Sequence, residues 1–379
     1  MEKRFLEAVA TLIGATMGAG MLGIPYVIAK SGTAVGLAHI IIIGTAVILI
    51  NLMVGEVATR TRGNHQLTGY ARKYLGVTGK RLMALTMAAG IYGALLAYLI
   101  GAGTALNAIW PQLPPIAGSL AFFAIASAII YLGLEAVEKS ELLLAFLTLT
   151  VITILIAAAI TSSKFSAANF TITNFGNSFM PYGVVLFAFL GAVAIPEMKE
   201  ELGKNKALLK KAIIIGGIVP IVLYSLFTIA VIGISGASTS QIATVDLGAR
   251  LGYIRAIFAN LFAVLAMSTS FIALGLALNE MYAYDYKLHR NAAWILTCIV
   301  PLAAFLFGVK SFVAVIGIAG AVAGGTEGIL LIKMHSKAQA KKTGIKPAYV
   351  IRTSGLLSAA LGIMFLTGII YAVIKIAGE

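Results

Sequence analysis

Between Lys30 and Glu56 the chain runs 25 residues without a charge, and long uncharged runs recur to its end. The hydrocarbon core of a bilayer is about 30 Å thick, a distance that an α-helix of about 20 apolar residues crosses. The runs are continuous rather than alternating, so they read as helices and not as barrel strands. A helix satisfies its backbone polar groups within one segment, which lipid demands. Composition agrees, with 60% hydrophobic and 11% charged residues, where soluble domains carry about a quarter charged. The expected fold is an all-α integral membrane protein.

Eleven spans are expected, near 5–29, 33–59, 80–107, 115–134, 138–161, 179–199, 207–233, 250–279, 291–309, 311–333 and 349–376. No connection is long enough for a soluble domain, so residues 1–379 read as a single membrane domain. With the N-terminus placed in the cytoplasm, 22 of the 28 Lys and Arg residues fall in cytoplasmic connections and six outside. The 22 include Lys139, Lys342 and clusters within 60–81, 199–211 and 333–352. Such a bias predicts a multi-pass protein of the cell (plasma) membrane, with a cytoplasmic N-terminus and an extracytoplasmic C-terminus. It also accounts for the net charge of +14 without nucleic acid. The lipid bilayer is the expected partner, and anionic lipid adds some attraction. Nothing in the pattern sets an oligomeric state.

The first span interrupts itself. The stretch "IGATMGAGMLGIPYVIAKSG" (13–32) holds Gly14, Gly18, Gly20, Gly23 and Pro25. Small residues four apart can serve close helix packing alone. A second copy argues for more. "FLGAVAIPEMKEE" (189–201) also sets glycine and small residues before an Ile-Pro pair. Aligning Pro25 with Pro196 gives an offset of 171, and the same offset carries the starts of spans 3 and 5 to those of spans 8 and 10. A repeat of about 5–161 thus maps onto one of about 179–333, leaving 349–376 as an extra helix. Five spans per repeat is odd, so the halves lie oppositely oriented. Interrupted helices at matching positions of an inverted repeat mark a midplane site in a secondary transporter. A channel would show a polar stripe or charged ring, and none is visible. Four scattered histidines lack metal spacing, and no nucleophile–base pair, P-loop or zinc motif is found. Neither an enzyme nor a bound cofactor is expected.

The motif "GATMGAGMLGIPYV" (14–27), with "AYLIGAG" (97–103), resembles the amino acid permeases of the APC superfamily. The resemblance is to the amino acid/auxin permease branch, the bacterial tryptophan–tyrosine permeases and sodium-coupled neutral amino acid transporters. It implies the five-plus-five inverted repeat of the leucine transporter, with one extra helix. It implies ion-coupled import of neutral amino acids, aromatic or branched ones included, by alternating access; exchange is the alternative.

Physics gives such a site its form. Either charge of a zwitterion left unpaired in the interior costs several kcal/mol. A broken helix offers free N–H groups at one edge and free C=O groups at the other. The substrate contacts expected in span 1 are Thr16, Gly18, Ala19 and Gly20. In span 6, Phe187, Phe189, Leu190, Gly191 and Ala192 are expected around the side-chain pocket. The family layout adds Tyr98 of span 3, ahead of Tyr92. The coupling ion is Na+ or H+. For sodium, the resemblance implies backbone carbonyls of Gly14 and Met17 facing the hydroxyls of Ser268 and Thr269 in "MSTSF", oxygen donors that suit a hard cation. The tryptophan–tyrosine permeases are proton-coupled, and no lysine stands between Leu142 and Ile160, where certain relatives put one. Intramembrane acids are functional candidates. Here they are Glu56, Glu197, Glu280 and Glu327. Glu197 follows the second break and is the expected proton-linked carboxylate; Glu327 is expected to pair with Lys333. Arg60 and Arg62 are expected to pair with acids across an inner gate.

Overall fold

A computed structural model describes residues 2–133, 141–341 and 345–378, with side chains except those of 141–145, 284 and 285. Lys139 and Lys342 lie outside the described residues. The described residues form helices and no strand. In chain order these are α1 (Glu2–Thr16), α2 (Ile24–Ser31), α3 (Thr33–Thr59), α4 (Leu67–Ile109), α5 (Pro115–Leu132), α6 (Glu141–Ile160), α7 (Pro181–Phe189) and α8 (Ile195–Leu202). They continue with α9 (Leu209–Ser235), α10 (Ala243–Leu251), α11 (Tyr253–Glu280), α12 (Arg290–Leu306), α13 (Phe312–Ile318), α14 (Gly325–Ala340) and α15 (Gly355–Gly378).

Among the described residues, seven helical stretches are long and apolar enough to cross a bilayer, or eight with the bent pair of α1 and the segment Ala19–Ser31. This is fewer than the eleven expected, for two reasons. Residues 175–238 form one stretch that holds α7, α8 and α9 together, and 146–160 and 290–306 are shorter apolar helices.

Both Ile-Pro stretches lie where a helix is interrupted. Helix α1 stops at Thr16, a tight 3₁₀ turn occupies Ala19–Gly23, and α2 starts at Ile24 with Pro25 in its first turn. The bend across this break is 47°. Helix α7 stops at Phe189, a short turn fills Ala192–Ala194, and α8 starts at Ile195 with Pro196 in its first turn. Proline there costs no hydrogen bond, because the first-turn N–H groups have no intrahelical partner. Helix α1 packs on α8, and α2 on α7. The first half of one interrupted helix therefore lies beside the second half of the other, so the two cross antiparallel.

Three regions depart from expectation. Residues 67–75, expected in a loop, are helical and kink into the rest of α4 at Gly76, whose φ of 77° suits glycine. Leu67, Tyr70, Ala71 and Tyr74 give that piece a buried face. Span 10 is not one α-helix: a π-helical turn over Ala319–Gly324 joins α13 to α14. Residues 345–354 run without helix between α14 and α15 and are pinned to α3. Tyr349 donates to Leu52 O at 2.9 Å and Ile351 N to Glu56 Oε2 at 2.7 Å.

Candidate substrate and ion site

The first break is buried and lined from three sides. Met17, Ala19 and Gly20 are buried and Gly18 half-buried. A methyl placed on Gly18 would stand 3.4 Å from Ser270 Oγ and 3.5 Å from Tyr98 Oη. The α4 tyrosine and the α11 serine thus both face this glycine. A methyl on Gly20 would stand 2.8 Å from Phe187 Cδ1 and 3.3 Å from Ala188 Cα, so α7 closes over it. Of the donors expected for a carboxylate, the Gly18 N–H already lies 3.0 Å from Thr16 O. Thr16 Oγ1 donates to Leu12 O at 2.7 Å, within its own helix.

The second break meets the first at Gly191, where a methyl would fall 2.6 Å from Thr16 Oγ1. Leu190 packs on Gly324 of the π turn. Ala192 is buried. Phe187 covers Gly20, whereas Phe189 packs on Tyr224, with ring centroids 5.1 Å apart, and against Gly44. The two phenylalanines are two residues apart and take different neighbours.

Sequence reasoning missed Tyr224. This fully buried α9 residue has its hydroxyl 2.9 Å from Thr16 O and 3.0 Å from Ala188 O. One hydroxyl proton therefore serves the free carbonyl edges of both interrupted helices. The available signal was a lone tyrosine inside the apolar run "IVPIVLYSLF".

The expected sodium ligands are dispersed differently. Gly14 is exposed on α1 and Met17 is buried in the break. Ser268 Oγ donates to Val264 O at 2.7 Å, and Thr269 Oγ1 to Ala266 O at 3.0 Å. Both hydroxyls are thus bonded back to their own helix, as hydroxyls in membrane helices often are. The third hydroxyl of the run, Ser270, is the one that faces Gly18.

The acids separate sharply. Glu197 stands exposed in the first turn of α8. Glu56 is wholly buried, with Arg60 Nη2 at 2.7 Å and His335 Nε2 at 3.0 Å. Gln339 Nε2 and the Ile351 N–H also donate to it. Arg60 is therefore engaged on its own helix, Arg62 is exposed, and the 60–66 loop is held across by Lys199 Nζ donating to Gly63 O at 2.8 Å. Glu327 is 9% exposed and makes no ion pair with Lys333, which is exposed. It lines a small cavity with Asn51, Leu190, Gly191, Ala192 and Phe365.

Two interrupted helices crossing antiparallel, with glycine backbone bared beside a tyrosine and a serine, are an arrangement that membrane transporters use to hold substrate. The chain belongs to the tryptophan/tyrosine permease family, which it matches over residues 1–375. It is 24% identical over 337 residues to "Glutamine transporter 2" of Aliivibrio fischeri, covering 85% of this chain and 86% of that protein. It is 24% identical over 331 residues to "Tyrosine-specific transport system 1" of Haemophilus influenzae, covering 81% of each. Its fold is that of MhsT, solved in complex with L-phenylalanine, at a TM-score of 0.69 and 17% identity over 99% of this chain and 98% of that one. Inward-facing Mhp1 gives a TM-score of 0.65 at 15% identity, over 97% and 89% of the two chains. The family and these relatives are transporters rather than enzymes.

Proposed function

We propose that the protein is a secondary active transporter that imports neutral amino acids, aromatic ones among them, by ion-coupled alternating access. The observation that carries this reading is the meeting of Gly18, Tyr98 and Ser270 at the break of an interrupted helix that crosses a second one antiparallel. The 19–23 turn holds the substrate carboxylate, and the carbonyl edge at Gly14–Thr16 faces its ammonium. Tyr98, Phe187, Leu190 and Ala192 bound the side-chain pocket. None of these carries a charge, which suits a neutral side chain. Glutamine and tyrosine, for which the two relatives are named, and the phenylalanine bound to MhsT are all neutral.

In this reading the chain is one transport domain of eleven spans. The repeats of about 5–161 and 179–333 are inverted, the N-terminus is cytoplasmic, and the C-terminus of α15 is extracytoplasmic. Support comes from the 171-residue offset between the two Ile-Pro helix starts and from the basic bias of the connections. A sodium or a proton gradient supplies the energy. Uptake of labelled tyrosine and glutamine into proteoliposomes, under a sodium gradient, a pH gradient or neither, tests the reading. Saturable, gradient-driven accumulation is expected. Flux that neither saturates nor responds to any gradient would sink it.

A further inference from the structure

The cavity at the second break holds a group that the proposed transport cycle has not used. Glu327 stands in the first turn of α14, three residues after the π turn. Such turns insert an extra residue into a helix and recur at functional sites. The π turn is seated on the interrupted helix, with Gly324 against Leu190 and Gly320 against Phe187. The residue is nine-tenths buried, and among the described residues its carboxyl group has no hydrogen bond or ion pair. Asn51 of α3 lines the same cavity, 3% exposed, and its Oδ1 is buried without a donor.

Taking a lone carboxylate out of water costs several kcal/mol unless a counter-charge or a proton neutralises it. No described counter-charge is at hand. The faces of α3, α7, α14 and α15 that close the cavity bring no second titratable side chain to it. Further along α14 and α3, Lys333 and Lys337 are exposed, His39 bonds Val35 O of its own helix, and His335 and Glu56 bind each other. The cavity is of the size that one water fills.

We propose that Glu327 is the proton-carrying site of this transporter, coupled to substrate through the unwound segment 190–194 that it faces. The inference rests on the transport reading above and names its coupling ion. A Glu327 carboxylate oxygen forms an O–H bond with a proton taken from water on the side of higher proton activity. The neutral acid then supplies a donor to a cavity whose Asn51 Oδ1 lacks one. Loss of that proton on the other side restores the carboxylate. The substrate-loaded break can occlude and reorient only while the acid is neutral, because the charged form would be sealed in an apolar shell; the empty carrier returns with the carboxylate hydrated, so one proton crosses with each substrate. Substrate held at 190–192 and the proton at Glu327 thus share one moving wall.

Proteoliposomes carrying wild-type protein or Glu327→Gln, an isosteric and permanently neutral side chain, test this. Two readouts are used: tyrosine counterflow at equal pH and accumulation under an inward proton gradient. The expected result is that E327Q keeps counterflow but loses gradient-driven accumulation and the pH dependence of its rate. Accumulation by E327Q equal to wild type would overturn the proposal. So would a wild type driven by sodium alone and indifferent to pH, although the import reading would then stand. A wild type without amino acid counterflow would defeat both. Should E327Q not fold, wild-type protein binding tyrosine in weakly buffered detergent must take up a proton, and no uptake would overturn the assignment.

Discussion

Two acids sit on neighbouring packed helices, Glu56 on α3 and Glu327 on α14, and the protein treats them oppositely. Glu56 is surrounded by Arg60, His335, Gln339 and the Ile351 N–H, which bind two helices and the 345–354 segment together. Glu327 is buried beside an interrupted helix with no partner among the described residues. A buried charge with every lone pair answered holds a structure in one arrangement. A buried acid left unanswered is costly, and its persistence needs a use that changes during function. The comparison also separates the surroundings. Glu56 faces continuous helix and a pinned strap, whereas Glu327 faces the unwound backbone of the second break.

The largest effect should come from breaking the paired acid. Glu56→Ala leaves Arg60 and His335 uncompensated, and removing one partner of a buried pair costs about 3–5 kcal/mol. Thermal unfolding of the purified protein should show a large loss, and a small one would mean the cluster is solvated in solution. Glu327→Leu should do the reverse, since an apolar residue in place of an unpartnered acid is neutral or stabilising. Its melting temperature should equal or exceed that of wild type, and a drop like that of E56A would erase the contrast.

Gly191→Ala comes next, because its methyl would lie 2.6 Å from Thr16 Oγ1 and 3.3 Å from Leu12 Cδ1. Overpacking costs about 1–3 kcal/mol, and here it separates the two breaks, so tyrosine uptake should fall more steeply than stability does. Tyr224→Phe removes the donor shared by Thr16 O, which keeps the Gly18 N–H, and Ala188 O, a loss of about 0.5–1.5 kcal/mol. It should lower the melting temperature and weaken tyrosine binding. The smallest effect should be Ser270→Ala, which removes a hydroxyl facing Gly18. A raised KM for uptake with stability unchanged is expected, whereas Ser268→Ala, whose hydroxyl bonds its own helix, should leave KM alone. The opposite order would move the site toward the expected sodium ligands.

Much of this was legible before any coordinates. Uncharged runs of membrane length specify helices, because lipid offers the backbone no other partner. Glycine and an Ile-Pro pair placed 171 residues apart specified where two helices stop and restart, because those residues set local dihedrals without help from distant chain. Gly18 and Tyr98 were foreseen together, and they do meet. Pairing across the fold was not legible. Sequence distance put Glu327 near Lys333, yet among the described residues it has no partner, and nothing in the sequence brought His335, Gln339 and Ile351 to Glu56. A helix position fixes a residue's neighbours four places along its own chain. Which side chain from another helix stands opposite depends on how the helices are packed. That packing decided that Tyr224 caps both breaks, that Ser270 rather than Ser268 faces the glycine, and that the Glu327 carboxyl group was left beside the second break.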